Sequence, residues 1–563
     1  MLTVLVGGLS AAGVAGCAQP KPWDFDEVVT REGLGPVEHY EQKLPRDFQP
    51  ADEAVQAEAE AAKEAVFAEG PLALSVEQAV LLALRNNREL SVQQFEPLIA
   101  GTFVELERAV FDPVLFGELQ IGRDQVESVS RATGQAFSVE GEDMLSEIGL
   151  LQRLPTGTTI EGTLTQRQTD SDRTPEQHTV RAGFTVTQAL LRGFGTQTNL
   201  ARIRQARLDT QASEFQLRGF AESLIAEVET TYWEYTLARR DIEIVENALE
   251  LARQQQRETE QRVAVGVLAE TEQAAAESEV ARREQALIDA QSNVETLQLR
   301  LLRLINPNAT EEGWSREIEI LDAPDMAAVA LDEIETHLAI ARQLRPDLNE
   351  ARLLVERNRL EVVQTRSGLL PRLDFFVTLG KTGFSDAFGG AVESIDGPGY
   401  DFSAGIVGEY PLGNRAARAD QQRAQLSRHQ SAQAVNNLSQ LVELDVRTAL
   451  VEVRRARRQI RATQLTSELQ EQTLEAETQK FRVGKSTTLL VAQAQRDLLE
   501  SQLEAVAAVV RYRQALVELY RLEGSLLERR GIMAPGRDGG VQRLAQQARG
   551  GRDTQLREAG DQR

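Results

Sequence analysis

The sequence has few of the residues that build catalytic or metal centres. Among its 563 residues there are one cysteine and four histidines, which excludes an intramolecular disulfide and a cysteine-based metal cluster. It contains no nucleophile elbow, phosphate-binding loop or metal-binding motif, so we expect no enzymatic activity, no cofactor and no metal. The histidines stand far apart in polar contexts, and we predict that all four are solvated surface residues: His39, His178, His337 and His429.

Aromatic and basic residues are also scarce. Aromatic side chains make up 5% of the chain, a shortage that argues against one large compact core. The 62 basic residues are outnumbered by 86 acidic ones, which gives a formal net charge of −24. A nucleic-acid-binding protein needs a basic surface, so we expect no nucleic-acid partner. Long stretches rich in Ala, Gln, Glu, Arg and Leu instead predict extended helices and coiled coils.

Long apolar runs are missing as well, because no internal segment reaches the ~20 apolar residues that a membrane-spanning helix needs. The N-terminal stretch MLTVLVGGLSAAGVAGC is apolar but too short to span, and it is typical of a signal peptide. Its last four residues resemble a bacterial lipoprotein cleavage box, which predicts that Cys17 is lipidated. A simple signal peptide and a chance cysteine are the alternatives. No Lys or Arg precedes the apolar run, so a start farther upstream stays open.

What the chain does contain is one long pattern in two copies. Gly266 aligns with Gly484 at an offset of 218 residues, and the ungapped match joins residues 199–306 to residues 417–524. Each of these segments reads as a long helix, a break at the glycine and a second long helix. A repeat of this size predicts that both halves of the chain have the same architecture.

The upstream part of the repeat has a different offset. Pro113 aligns with Pro371 at 258 residues instead of 218, so the first copy holds 40 more residues between its proline and its long helix. We therefore predict five segments: a signal peptide at 1–16, a lipidated N-terminal segment at 17–70, repeat 1 at 71–306, repeat 2 at 307–524 and a disordered tail at 525–563. Within repeat 1, strands are expected at about 113–190 and a helical hairpin at 199–306. Within repeat 2, strands are expected at about 371–412 and a helical hairpin at 417–524.

The helical segments show the spacing of a coiled coil. Ser75 is the candidate N-cap of the first helix. In the first long segment, apolar residues recur at alternating intervals of three and four, which predicts a packed seam. A run of some 60 residues at ~1.5 Å per residue is a rod of about 90 Å. The seam consists of Phe220, Leu224, Val228, Thr231, Tyr235, Ala238, Ile242, Val245, Leu249 and Ala252.

The segments after each proline alternate with a period of two. Such strands, with one apolar and one polar face, are typical of a transmembrane β-barrel with a wet lumen; a soluble sheet with one face on a core is the alternative. Inside the additional 40 residues, the turn signal at 155–157 indicates a hairpin that either joins the barrel or folds outside it. The predicted apolar face comprises Leu115, Leu119, Ile121, Ala182, Phe184, Val186, Leu373, Phe375, Val377, Leu379, Phe402, Ala404, Ile406 and Tyr410.

In this order of elements the chain resembles the TolC-like outer membrane efflux proteins, or outer membrane factors. The segments that carry the resemblance are FDPVLF and LLPRLDF before the strands, QALLRGFG after them, and the VG turns between the long helices. The resemblance implies a mainly α fold with a transmembrane β segment. It implies an obligate trimer in which each protomer gives four or more strands to a shared β-barrel and its helices to a long antiparallel coiled-coil α-barrel. One protomer cannot close alone, because the smallest barrels need ~8 strands and strand edges cannot face lipid.

The resemblance also implies the function. It predicts a lipid-anchored channel of the cell outer membrane with a periplasmic helical tunnel, which is the passive exit duct of a tripartite efflux or type I secretion system. The expected partners are two further copies of the chain, a periplasmic adaptor (membrane fusion) protein, an inner-membrane efflux pump or ABC exporter, and outer-membrane lipid. The alternative is a lipid-anchored periplasmic coiled-coil scaffold or adaptor without a channel.

The two glycine breaks are the predicted functional sites. Glycine gives the backbone freedom for a reversal, and the resemblance identifies the reversals as periplasmic tips, where the adaptor docks and the aperture closes; the alternative is that the glycines only turn the chain. Thr271 and Glu272 are expected to face Phe481 and Ser486 across the closure. The predicted docking residues are Val265, Gly266, Val267, Leu268, Val483, Gly484, Lys485 and Ser486, and the predicted aperture residues are Glu270, Thr271, Glu272, Phe481, Ser486, Leu490 and Gln493.

A departure from the family concerns charge at the aperture. Family members can carry acidic residues just past the second tip, where this chain has Leu490 and Gln493. The nearby carboxylates are those of Glu270 and Glu272. If a charged ring selects cations, these glutamates must form it, since three copies would focus the field in a narrow pore.

Overall fold

A computed structural model describes residues 71–532, apart from residues 130, 132, 173, 306–313, 315 and 323–330. The predicted signal peptide, the lipidation site Cys17 and His39 therefore lie outside the described residues. Among the helices that are described, none combines the length and the apolar character needed to cross a membrane.

Helices form most of the described chain, and each repeat contains two long ones. The first long helix of repeat 1 has 64 residues and that of repeat 2 has 68, so each is about 100 Å long at ~1.5 Å per residue. The helices are α1 (Val76–Asn86), α2 (Arg88–Gln93), α3 (Phe95–Arg108), α4 (Thr196–Asn199), α5 (Ala201–Ala264), α6 (Glu270–Ile305), α7 (Ile334–Leu344), α8 (Pro346–Gly368), α9 (Phe388–Glu393), α10 (Arg415–Arg482), α11 (Thr488–Leu522) and α12 (Leu526–Arg529).

Each of the two longest helices packs against several others. Helix α5 packs against α3, α8, α11 and the returning helix α6. Helix α10 packs likewise against α8 and α11. All ten residues of the predicted seam on α5 are buried or half-buried, which confirms the coiled-coil spacing.

Two details of the first repeat show how the sequence fixes the core. Ser75 is the N-cap of α1, as predicted, because its hydroxyl accepts from the Gln78 backbone N–H at 3.2 Å while the Gln78 side chain accepts from the Ser75 N–H at 3.1 Å. Tyr232 on α5 is fully buried, and its hydroxyl donates to the Leu74 carbonyl oxygen at 3.0 Å. This hydrogen bond ties the long helix to a small parallel pair of strands, β1 (Leu72–Leu74) and β6 (Ile318–Ile320).

The remaining strands form one six-stranded antiparallel sheet in the order β2-β3-β4-β5-β7-β8. Strands β3 and β4 occupy the 40 additional residues of repeat 1, so those residues form a hairpin inside the sheet. The strands are β1 (Leu72–Leu74), β2 (Val114–Val129), β3 (Ala136–Arg153), β4 (Thr158–Ser171), β5 (Thr174–Ala189), β6 (Ile318–Ile320), β7 (Arg372–Ser385) and β8 (Tyr400–Glu409).

The register of this sheet collects the predicted apolar positions on one face. Phe184 pairs with Leu379, and Leu379 pairs with Phe402; directly opposed residues point to the same side of a sheet. We call this side the apolar face. On the other side, the polar face, the Arg181 guanidinium donates to Asp401 Oδ2 at 2.7 Å. Large side chains of the apolar face are exposed in the single chain, Phe402 to 63%, so nothing in the described part of the chain covers them.

The predicted start of the disordered tail at 525 is wrong. Leu526 and Leu527 are fully buried, and the Arg218 side chain donates to the Gly524 carbonyl oxygen at 2.8 Å and to Glu528 at 2.6 Å. Arg530 forms a bidentate ion pair with the buried Glu229, in which its Nε and Nη2 donate to the two carboxylate oxygens at 2.6 and 2.5 Å. Buried leucines and charge pairs hold residues 525–532 against α5, and the rest of the predicted tail lies outside the described residues.

The prediction that the histidines are solvated is wrong for two of them. His337 is 1% exposed, and its Nδ1 lies 2.6 Å from the buried carboxylate of Glu523. His178 is also buried and lies near Glu176, whereas His429 is exposed as predicted. The polar sequence context of His337 hid its position, because Glu523 lies 186 residues farther along the chain.

Candidate functional site at the helical tips

Both glycine breaks are reversals of the same design. At the end of α5, the Gly266 N–H donates to the Val263 carbonyl oxygen at 2.9 Å and the Val267 N–H to Arg262 at 2.8 Å. At the end of α10, Gly484 and Lys485 repeat the two bonds at 3.0 and 2.8 Å. This pair of bonds is the Schellman motif, which requires a left-handed residue at the helix end.

The two glycines supply that left-handed residue. Their φ angles are +76° for Gly266 and +74° for Gly484, a region that costs other residues ~1–2 kcal/mol. A Cβ at either position would meet no atom within 4 Å. The two glycines are therefore required because of the backbone conformation, and not because another part of the chain packs closely against them.

The chain restarts a helix immediately after each reversal. Thr487 is the N-cap of α11, and its hydroxyl accepts from the Leu490 N–H at 3.4 Å. Helix α6 has Glu270 and Glu272 in its first turn, where carboxylates are stabilised by the helix dipole. Capping of α11 thus explains Thr487 in the second break. The favourable interaction of carboxylates with the start of α6 explains Glu270 and Glu272 in the first.

Six of the eight predicted docking residues are exposed in the single chain. Val265 and Val267 are 73% and 69% exposed, and Val483 is 69% exposed. Gly266, Gly484 and Lys485 are exposed as well, whereas Leu268 and Ser486 are half-buried. The two turns therefore present three apolar side chains to solvent.

The predicted aperture residues fall into two groups. Phe481 is 2% exposed and Ser486 is held by its own hairpin, because its hydroxyl donates to Glu477 Oε2 at 2.8 Å. Glu270, Thr271, Leu490 and Gln493 are exposed and Glu272 is half-buried. In the described part of the chain, no hydrogen bond or ion pair joins Thr271 or Glu272 to Phe481 or Ser486.

The side chain that does contact Phe481 is Arg262. Its guanidinium carbon lies 4.7 Å from the Phe481 ring centroid, and its Nη1 donates to the Phe481 carbonyl oxygen at 3.4 Å. Arg262 belongs to the end of α5 and Phe481 to the end of α10, so this cation–π contact joins the two hairpins at their tips. Arg262 was not predicted from the sequence, where its only signal is its place one turn before Gly266.

A second link between the hairpins lies behind the tips. The buried carboxylate of Glu279 on α6 pairs with Arg283 at 2.7 Å and with Arg496 on α11 at 3.2 Å. Glu279 and Arg496 also line a cavity of about 140 Å³ between the helices. This network was not predicted from the sequence either, although Glu279 and Arg283 have the i, i+4 spacing of a helical ion pair.

Glu477 and Lys480, close to the second tip, form an ion pair. Hydrogen bonds from Lys480 and Ser486 lower the pKa of the Glu477 carboxyl, so it is ionised at neutral pH. The Lys480 ammonium lies 2.5 Å from it. The described residues contain no group of three or more His, Cys, Asp or Glu side chains that could hold a metal ion.

The described chain combines two long helical hairpins, linked near their tips by Arg262 and Phe481, with a six-stranded sheet that has one apolar and one polar face. A family profile matches the chain: the outer membrane efflux protein profile covers residues 79–307 and 338–525, well over half of the 563 residues. The chain belongs to the outer membrane efflux protein family, as its resemblance to TolC-like proteins predicted. A search among curated protein sequences finds no match.

Solved channels share the fold. The Campylobacter jejuni outer membrane channel CmeC is 16% identical, with a TM-score of 0.59 over 84% of this chain and 88% of that one. The Vibrio cholerae outer membrane protein VceC is 15% identical, with a TM-score of 0.58 over 80% and 96%. The Neisseria gonorrhoeae channel MtrE, solved in an open state, is 18% identical, with a TM-score of 0.56 over 80% and 89%. At these identities the likeness shows the fold.

Proposed function

We propose that the protein is a trimeric outer-membrane channel, the passive exit duct of a tripartite efflux or type I secretion system. The observation that carries this proposal is the six-stranded sheet. Its apolar face is exposed, its polar face carries charged pairs, and the chain belongs to a family of outer membrane efflux proteins. A sheet of this kind suits a wall between lipid and water. The driving force comes from an inner-membrane efflux pump or ABC exporter, because the sequence holds no energy-coupling motif.

An unpartnered stripe on the helical part supports the oligomer. On α3, four large apolar side chains at helical spacing are more than half exposed: Phe95, Ile99, Phe103 and Leu106. A contiguous exposed apolar surface of this kind marks a protein–protein interface. In a trimer, the neighbouring copy covers this stripe and extends the helical layer into a closed tunnel.

The tips carry the proposed regulation. Val265, Val267 and Val483 form the surface on which a periplasmic adaptor docks, and the contact between Arg262 and Phe481 holds the closed arrangement. Adaptor binding that favours separated hairpins shifts the population toward an open aperture. Of the predicted aperture residues, Glu270 and Glu272 supply a threefold ring of carboxylates that favours cations. A lipid on Cys17 adds an anchor beside the barrel.

Membrane fractionation tests the proposal against a soluble periplasmic scaffold. The full-length chain should appear in the outer-membrane fraction and should migrate as an oligomer that heating converts to the monomer. A chain released in the soluble periplasmic fraction, or one held in a membrane only until Cys17→Ser removes the lipid, would contradict a barrel. Cross-linking from cysteines placed at Val265 and Val483 should capture an adaptor, whereas a cysteine at Ser128, far along β2, should not.

A further inference from the structure

Repeat 1 contains two strands that repeat 2 lacks. When the two repeats are aligned at the offset of 258 residues, the first residue of β2 aligns with the first residue of β7. At the offset of 218 residues, the second half of β5 aligns with β8. Strands β3 and β4 have no counterpart in repeat 2, and they account for most of the 40 additional residues. The hairpin of β3 and β4 is therefore an addition to a duplicated two-strand unit.

The added hairpin is built into the middle of the sheet. Strand β3 pairs with β2 along its whole length, and β4 pairs with β5 from Thr158 opposite Gln188 onward. No direct pairing of β2 with β5 occurs in this sheet, whose order is β2-β3-β4-β5-β7-β8. The hairpin thus separates the two strands that would be neighbours without it, and it widens the sheet from four strands to six.

The hairpin also carries the two-sided pattern of its neighbours. On the apolar face, Ile148 pairs with Leu164, and both are about half exposed in the single chain. On the polar face of the same strands, the Thr165 hydroxyl donates to Glu147 at 3.3 Å. A hairpin that stood in water outside the membrane would have no reason to keep one apolar side. The pattern is the one expected of a strand pair between lipid and water.

Both outer edges of the sheet are unpaired among the described residues, since β2 bonds only to β3 and β8 only to β7. Strand edges cannot face lipid, and six strands are fewer than the ~8 of the smallest barrels. The occupant that fits both edges is a second copy of this chain, because a head-to-tail contact repeated by rotation closes a ring.

We propose that β8 of each copy pairs with β2 of the next, so that three six-stranded sheets close a barrel of eighteen strands. This inference rests on the proposed trimeric channel. Because barrel diameter grows roughly linearly with strand number, the barrel is about 1.5 times as wide as one with four strands per copy. Barrels of 16–18 strands leave an aqueous channel, so the size limit for cargo lies at the helical tips and not in the membrane.

Cysteine labelling of the full-length protein in lipid vesicles tests where the hairpin lies. Single cysteines replace Ile148 and Leu164 on the apolar face, Glu147 and Thr165 on the polar face, and Leu379 on β7 as the reference for a wall position. A membrane-impermeant maleimide is added, and each peptide is read by mass spectrometry so that the native cysteine does not interfere. Because the reactive thiolate is disfavoured in apolar surroundings, Ile148→Cys and Leu164→Cys should react roughly tenfold more slowly than the polar-face pair, and as slowly as Leu379→Cys.

The outcomes separate the hairpin from the channel. If Leu379→Cys is slow but Ile148→Cys and Leu164→Cys are fast, the hairpin lies outside the wall; the inference fails and the proposed channel stands. If Leu379→Cys is fast as well, the sheet does not face lipid and the proposed function fails with the inference. Electron cryo-microscopy of the unsubstituted protein in nanodiscs gives the number of strands in the barrel directly. Eighteen strands would support the inference, and twelve would overturn it.

Discussion

The contact between Arg262 and Phe481 allows a quantitative test of the tips. The guanidinium lies 4.7 Å from the ring centroid of a side chain that is 2% exposed, and a cation–π contact is worth ~0.5–1 kcal/mol at exposed sites and ~2 when desolvated. We therefore expect Arg262→Ala to destabilise the closed tips by ~1–2 kcal/mol, which changes the ratio of open to closed tips by a factor of about 5–30. Phe481→Ala removes the same contact and its buried area, so its effect should be at least as large.

Single-channel recording of the purified full-length protein in planar bilayers measures this ratio as the fraction of time spent open. Arg482→Ala is the matched control, because Arg482 is exposed and its replacement removes the same charge without touching the ring. The double variant of Arg262 and Phe481 should open little more than Phe481→Ala alone, since coupled residues are not additive. Equal open fractions for Arg262→Ala and Arg482→Ala would refute the role of the contact.

Three further predictions concern stability, each measured by thermal unfolding of the detergent-solubilised protein. Gly484→Ala should cost ~1–2 kcal/mol, because φ is +74° and L residues avoid that region. Arg530→Ala should cost ~3–5 kcal/mol, because it leaves the fully buried Glu229 without its partner. Burial raises the pKa of Glu222 to about 8, against the lowering effect of Arg218. The folded protein therefore holds this proton, whereas the unfolded chain releases it near pH ~4.3. The free energy of unfolding should therefore fall as the pH rises from 5 to 8. It should fall less over the same range in Glu222→Gln, which has no proton to release at this position.

Each of these variants has a control in the chain. Gly101→Ala lies in α3, where φ is not positive and the added Cβ meets nothing within 4 Å, so it should be neutral or stabilising; an equal loss from Gly484→Ala and Gly101→Ala would contradict the argument from φ. Arg447→Ala breaks an exposed pair with Glu443 and should change the stability very little, because solvent screens exposed ion pairs. Arg447 lowers the pKa of Glu443, so Glu443→Gln should not flatten the pH dependence. Parallel pH curves for Glu222→Gln and the unsubstituted protein would exclude Glu222 as the titrating group.

Periodicity and repetition predicted the local architecture, because both are properties of short segments. The seam on α5 and the capping of α1 by Ser75 follow from spacing alone, and the structure confirms them. The reversal at Gly484 was expected from its position, and the Schellman bonds explain why that residue is glycine. The resemblance to outer membrane efflux proteins rested on the order of such segments, and the family match confirms it.

The missed features depend on contacts between distant parts of the chain. Arg262 and Phe481 are 219 residues apart, so nothing in either local sequence pairs them. Arg530 and Glu229 are 301 residues apart, and a charged stretch after residue 525 was indistinguishable from a solvated tail. The place of the added hairpin was left open for the same reason, because strand order is set by pairing and not by alternation.

The central claim is that this chain forms a conducting pore whose narrowest point is at the helical tips. The most direct test is the conductance of the purified full-length oligomer in planar bilayers, with and without Phe481→Ala. We predict discrete conductance steps for both proteins and a larger open fraction for the variant. An oligomer that is folded and inserted, yet passes no current in either form, would contradict the claim.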